Sequence, residues 1–360
     1  MFLTEFVCTT RICAGENALS YLSSLQAERV LVITDRFFSQ NGTAARIGGM
    51  IPGAKVEVFD RVTPDPTAET AAEAAAVCTT LQPQILLALG GGSPMDCAKA
   101  VRLAAEKPML FIAIPTTSGS GSEVTSFSIL THGGVKHPLV DGGIRPNIAI
   151  LDDSLLQSLP PSLVAHTGMD LLSHCMEALA ATGRSPFTDS LAMSAAETVF
   201  SCLKASYHGD VTVRSRLHQA ATMAGIAFDN AGLGLCHGLA HALGGRYHLP
   251  HGVLCAMVLP HVMKLNAPKA GAAYRRLAAY CQMGAATEQT ALRSLTGAIS
   301  RLRSSLSMPE TLTAAGLDRE TIRASHRQVL QAALEDGCLK TNPVPVTEQA
   351  VEQILRAVEG

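Results

Sequence analysis

The stretch ILLALGGGSPMD, Ile85 to Asp96, decides the fold. Five apolar residues, Ile85 to Leu89, read as a buried strand, and the strand runs straight into Gly90, Gly91, Gly92 and Ser93. Pro94 then stands in the first turn of a helix expected to reach Glu106. Outward from this unit the pattern repeats. VLVITD (Val30 to Asp35) and AKVEVFD (Ala54 to Asp60) read as strands, and Thr67 caps a helix made of AETAAEAAAVCTTL. LFIAIPTTSGSGSE repeats strand then small-residue loop, and NIAILD (Asn147 to Asp152) is the last clear strand. Alternation of this kind predicts a doubly wound parallel sheet.

Beyond Asp152 the texture changes. Ser162 to Ala181, Phe187 to Tyr207, Val211 to Ala231 and much of Ala272 to Ser305 have helical spacing, and the remainder to Gly360 reads as helical too. The break falls near Leu155 to Pro161, where two prolines stand together, dividing the chain into 1–156 and 157–360.

Composition narrows the function. The chain has 360 residues, 47% of them hydrophobic and 16% charged, with a formal net charge of −2. This is a globular chain with a large core, and its charge argues against a nucleic-acid partner. The apolar runs are too short to span a bilayer, and the N-terminus lacks the pattern of a secretory signal. Ten cysteines without a CxxC pair read as reduced core thiols in a cytoplasmic protein. Cys236 adjoins His237 and reads as a packed thiol.

Ligands of doubly wound sheets sit at the carboxyl ends of the strands. Gly90 to Ser93 offer close backbone approach and helix N–H groups to a pyrophosphate. Thr116 and Thr117 end the next strand with hydroxyls. Asp35 ends the first strand, where a carboxylate accepts from ribose hydroxyls and repels an added phosphate, which predicts NAD rather than NADP. Neither GxGxxG after the first strand nor a Walker pattern is present.

The second half supplies a metal set. In GMDLLSHCMEA, Asp170 and His174 stand at i and i+4 on one helix face. LCHGLAHALGGRYHLPHG adds His237, His241 and His251. One carboxylate with the imidazoles of His174, His237 and His251 suits Fe²⁺ or Zn²⁺. HGLAH is not a zinc-protease helix, because Gly238 stands where that motif needs Glu. His132, His137, His208, His218 and His326 read as solvated, and His166, His248 and His261 as lining at most. A metal with a nucleotide points to hydride transfer at an alcohol or carbonyl.

These motifs together resemble the iron-dependent (group III) alcohol dehydrogenase family, from the strand ending at Asp35 to the TNP segment Thr341 to Pro343. GGGSPMD, PTTSGSGSEVTS, GMDLLSHCMEA and HGLAHALGGRYHLPHG carry the likeness. Within the family, VTPDPT, LQPQILLALGGGS, PNIAILD and RYHLPHG resemble the 1-propanol dehydrogenases of bacterial microcompartments. The resemblance implies a Rossmann-like parallel-sheet α/β domain followed by an all-α domain, the fold shared with dehydroquinate synthase. It implies that Asp170, His174, His237 and His251 bind the metal, with His241 beside the nicotinamide as proton relay or substrate orienter. It places Asp35 on the adenosine ribose and Gly91, Gly92, Ser93 and Asp96 around the pyrophosphate. Thr116, Thr117, Ser120 and Thr125 would line the cofactor cleft, with Lys136 and Leu155 touching it from the domain junction. Asp65 stands where many relatives carry Asn, and Ser120 where Thr is common.

The chemistry follows from these groups. A neutral primary alcohol is a poor hydride donor, and a Lewis-acid metal favours its deprotonated form. Nicotinamide carries the hydride, and the protein supplies placement and field. The expected substrates are small and uncharged: propanal with 1-propanol, or acetaldehyde with ethanol. A glycerol-dehydrogenase-like polyol oxidoreductase is the nearest alternative. A dehydroquinate-synthase-like lyase would need basic anchors, and the ligand segments offer little beyond Arg246. The resemblance also implies a homodimer and suggests enzymes or shell proteins of a microcompartment as neighbours.

Overall fold

The computed structural model describes residues 5–133 and 135–360. They form two compact units, Val7–Leu159 and Pro160–Gly360, the second taking in Glu5 and Phe6 of the N-terminus. Phe6 departs from the expected 1–156 grouping because its ring stacks on Phe187 at 5.3 Å.

The first unit contains β1 (Arg11–Gly15), β2 (Arg29–Asp35), α1 (Arg36–Gln40), α2 (Thr43–Gly48), β3 (Lys55–Val62) and α3 (Ala68–Leu81). It continues through β4 (Ile85–Gly90), α4 (Gly92–Ala104), β5 (Leu110–Pro115), β6 (Phe127–His132), β7 (Val135–Val140) and β8 (Ile148–Asp152). Six strands form one parallel sheet in the order β1-β8-β5-β4-β2-β3, and β6 and β7 make a separate antiparallel pair. The sheet is buried on both faces, as the continuous apolar strands require. Leu31, Ile33, Leu86, Ala88, Phe111 and Ala113 pack with Ala74, Cys78, Ala98 and Val101 of α3 and α4. Val30, Val32, Leu87, Leu89, Ile112 and Ile114 pack on the opposite side with Leu19, Leu22, Ala44 and Ile47.

The chain leaves β2 toward β3 on one side and returns to β4 on the other. The carboxyl ends of β2 and β4 therefore flank the topological switch point, where ligands of such sheets bind. Thr34 ties the two ends together by donating to the carbonyl of Leu89 at 2.8 Å. Thr67 caps α3 as expected, its hydroxyl accepting from Thr70 N at 3.1 Å. The helix expected from Pro94 begins two residues earlier, at Gly92.

The second unit is helical: α5 (Pro161–Ala180), α6 (Pro186–Tyr207), α7 (Arg214–Ala231), α8 (Leu235–Tyr247), α9 (His251–Tyr280), α10 (Glu288–Ser305), α11 (Arg319–Glu335) and α12 (Glu348–Glu359). Beyond its first turns α5 is buried on nearly all sides, packed among α6, α7 and α9. Val211–Val213 form a 3₁₀ turn ahead of α7 instead of extending it. His218, expected in solvent, is instead buried on α7 at 1% exposure.

Candidate active site

The four expected metal-ligating side chains all belong to the helical unit, and the fold brings them together. Asp170 and His174 sit one turn apart on α5, His237 opens α8 and His251 is the first residue of α9. Asp170 Oδ1 lies 3.9 Å from His174 Nε2, 3.7 Å from His237 Nε2 and 3.4 Å from His251 Nε2. Ligand atoms about 2.1 Å from a tetrahedral ion stand about 3.4 Å apart. The donor atoms of Asp170, His237 and His251 lie close enough together for one cation, and His174 Nε2 stands farthest from the Asp170 oxygen. The rings of His174 and His237 stack at 4.6 Å, and Phe228 covers the other face of His174 at 4.4 Å.

Two glycines make the approach of the helices possible. A Cβ on Gly252 would stand 1.9 Å from the carbonyl oxygen of His166, so only glycine lets the start of α9 meet α5. A Cβ on Gly234 would fall 2.6 Å from Asn342 Oδ1 and 2.9 Å from Glu177 Oε1. With that space open, both groups reach the free amides of α8. Asn342 accepts from Leu235 N at 3.2 Å, and Glu177 accepts from Cys236 N at 2.7 Å. A carboxylate at a helix N-terminus also meets the positive end of its dipole.

Glu177 does a second job. His237 Nδ1 donates to its Oε2 at 2.6 Å, which leaves the lone pair on Nε2. That Nε2 is buried and makes no hydrogen bond to any described residue. A buried polar atom left this way is costly unless something coordinates it. The donor set and this unbonded nitrogen fit a divalent metal. Burial pushes Asp170 up, but the imidazoles of His174, His251 and His237 hold it well below the usual carboxylate range.

His241 follows His237 by one turn, and its ring stacks with that of His251 at 5.4 Å. Its Nδ1 bonds Asp336 Oδ2 at 2.9 Å. Burial lowers the His241 pKa despite that partner. Asp336 is pushed up by burial, yet its bond to His241 holds it at about 2.

The expected cofactor residues all belong to the sheet unit. Gly91 caps α4, Gly92 and Ser93 open it, and Thr116 and Thr117 follow β5. Thr117 lies beside Gly91 and Ser120 beside Gly92, so the two loops meet. Asp96 accepts from Ser122 Oγ at 3.0 Å. Lys99, wholly buried, donates to Ser122 Oγ at 2.8 Å, Thr125 Oγ1 at 2.9 Å and the carbonyl of Phe127 at 2.6 Å. Burial raises the Asp96 pKa to about 6 against the pull of Lys99 and Ser122. Asp35 ends β2 and caps α1, accepting from Phe38 N at 3.2 Å. Asp65, in the left-handed region at φ 55°, pairs with Lys136 at 2.6 Å. Leu155 packs partly buried against the core beneath the sheet.

Sequence reasoning missed Glu177, Asp336, Cys255 and Lys99. Glu177 was within reach of it, since it follows His174 by three positions on the same helix. Cys255 follows His251 by four on α9, and its Sγ lies 3.5 Å from His251 Nε2. Asp336 stands 95 positions from His241 and carries no local signal.

A profile of the iron-containing alcohol dehydrogenase family matches residues 9–153, and one of the Fe-containing alcohol dehydrogenase family, C-terminal, matches residues 164–358. The chain is 38% identical to the 1-propanol dehydrogenase PduQ of Salmonella typhimurium, over 98% of this chain and 99% of that one. It is 34% identical to the NADPH-dependent butanol dehydrogenase of Clostridium saccharobutylicum, over 99% and 98%. Among solved structures, the iron-containing alcohol dehydrogenase of Thermococcus thioreducens superposes with a TM-score of 0.89 at 33% identity, covering 98% of each chain.

Proposed function

The chain belongs to the iron-containing alcohol dehydrogenase family, and on that premise we propose that it interconverts a small primary alcohol and its aldehyde, 1-propanol with propanal or ethanol with acetaldehyde, using NAD(H) and Fe²⁺. The observation that carries the reading is the gathering of Asp170, His174, His237 and His251 around one point, with the buried Nε2 of His237 lacking a hydrogen bond. Zn²⁺ suits the same donors.

A divalent ion held there supplies Lewis acidity toward the substrate oxygen, and bound nicotinamide gives or takes the hydride. Everything else falls to the chain. Asp170, His174, His237 and His251 hold the ion, and Glu177 fixes the ring of His237. His241 Nδ1 is committed to Asp336, which leaves Nε2 to pass a proton to or from the substrate. Burial lowers the His241 pKa, so with Nδ1–H donated to Asp336 the Nε2 presents a lone pair that accepts the alcohol proton and, once protonated, returns it in the reverse direction. Gly91, Gly92 and Ser93 offer backbone to the pyrophosphate, with Thr116, Thr117, Ser120, Asp96 and Thr125 around it. Asp35 takes the adenosine ribose, and Asp65, Lys136 and Leu155 stand along the remaining path.

Asp35 favours NAD over NADP, although the butanol dehydrogenase relative is NADPH-dependent. Among the described residues no helix is long and apolar enough to cross a membrane. We read the chain as cytoplasmic and a homodimer, and the resemblance to 1-propanol dehydrogenases adds a bacterial microcompartment as a candidate location.

The test is anaerobic. Iron-loaded protein should consume NADH with propanal or acetaldehyde, faster than NADPH, and lose that activity to a chelator. Full activity after metal removal, or none with any short aldehyde or alcohol, would overturn the proposal.

A further inference from the structure

We propose that Cys255 supplies a thiolate donor to the metal at the Asp170 cluster, an inference that rests on the metal reading above. Cys255 stands one helical turn after His251 on α9, on the same face, and is fully buried. Its Sγ is 3.5 Å from His251 Nε2 and 3.8 Å from Asp170 Oδ1. The donor atoms of Asp170, His237, His251 and Cys255 all lie within 4.8 Å of one another. A sulfur about 2.3 Å and a nitrogen about 2.1 Å from one tetrahedral ion stand about 3.6 Å apart. Cys255 therefore occupies a ligand's place by distance.

A second, independent observation points to the same place. His237 is 2% exposed, its Nε2 has no hydrogen bond among the described residues, and it aims at the Asp170 oxygen that Cys255 also approaches. Coordination gives His237 Nε2 a partner, and Cys255 Sγ exchanges its thiol contacts with Asp170 Oδ1 and His251 Nε2 for a bond to the ion. On binding, the Sγ–H bond breaks, the proton goes to solvent, and the sulfur lone pair forms the bond to the ion; no electron is transferred. With His174 Nε2 at 3.9 Å from the same oxygen, the site offers five donors, one of them soft. A soft donor tilts selectivity from Mg²⁺ and Mn²⁺ toward Zn²⁺ and Co²⁺.

The probe is Co²⁺ added anaerobically to the metal-free full-length chain. A thiolate ligand gives an intense near-ultraviolet charge-transfer band that oxygen and nitrogen ligands do not. Wild type should show the band at one Co²⁺ per chain. Cys255→Ser should abolish it and weaken Zn²⁺ binding about tenfold or more. Cys236→Ser should keep it, although Cys236 Sγ lies only 3.7 Å from the carbonyl of Cys255. X-ray absorption of the zinc-loaded wild type should reveal a sulfur neighbour at about 2.3 Å, a readout that needs no variant. Stoichiometric Co²⁺ binding without the band, or zinc without a sulfur neighbour, would overturn the role of Cys255 and leave the metal site standing. Failure to bind Co²⁺ or Zn²⁺ at all would overturn both.

Discussion

One carboxylate oxygen of Glu177 accepts the ring proton of His237 at 2.6 Å while the other accepts the amide of Cys236 at 2.7 Å. The same acid thus anchors the start of α8 and orients a metal-facing imidazole carried by that helix. Glu177→Ala should lower stability by about 2 kcal/mol or more, since a buried charged acceptor is removed from several donors. It should also weaken metal binding by about 10–100-fold. Glu177→Gln, which keeps an acceptor, should recover most of the stability and less of the affinity. Thermal melts and metal titrations separate these; unchanged affinity in Glu177→Ala would remove its orienting role.

His237 and His241 lie one turn apart and should divide their work. His237→Ala should lose metal and turnover together in a folded protein. His241→Ala should keep its metal and lose turnover, about 10²-fold or more. Metal content measured beside kcat decides, and loss of metal from the His241 variant would refute the division.

Asp35 both caps α1 and, in this account, excludes the extra phosphate of NADP. Asp35→Ser keeps a capping oxygen, so stability should change by only about 0.5 kcal/mol. Its charge is gone, so kcat/KM with NADPH should rise relative to NADH by about tenfold. Asp35→Ala should show the same cofactor shift with an added loss of about 1 kcal/mol. An unaltered NADH-to-NADPH ratio in both variants would place the ribose elsewhere.

Asp96 makes a pH prediction with a definite sign. Burial raises its folded pKa to about 6, against about 3.9 in an unfolded chain. The folded state therefore binds more protons between these values, and stability should fall as pH rises from about 4 to about 6, then level. Asp96→Asn should flatten this slope. Urea unfolding across that range measures it, and a slope that persists in Asp96→Asn would assign it to another group.

Much of the fold is legible because buried parallel strands are continuous apolar runs, as Val30 to Ile33 and Ile85 to Leu89 are. Three features were not. β1, RICAG, is short and half-exposed at the sheet edge, so it lacks that signature. β6 and β7 mix apolar with polar residues and lack a continuous apolar run, and Pro138 within β7 reads as a breaker. α9 runs from His251 through Pro260 and Pro268, whereas proline in a helical pattern argues for an end. At the site, i,i+4 spacing made Asp170 with His174 and His237 with His241 visible. Glu177, three positions after His174 on the same helix, was within reach of the same spacing argument, whereas Asp336 was hidden because it reaches α8 from a loop 95 positions beyond His241.

The most direct test is anomalous diffraction at the iron edge from crystals of the anaerobically iron-loaded chain. The account predicts one peak within bonding distance of Asp170, His174, His237 and His251. A peak elsewhere, or none in protein that still reduces propanal with NADH, would contradict it.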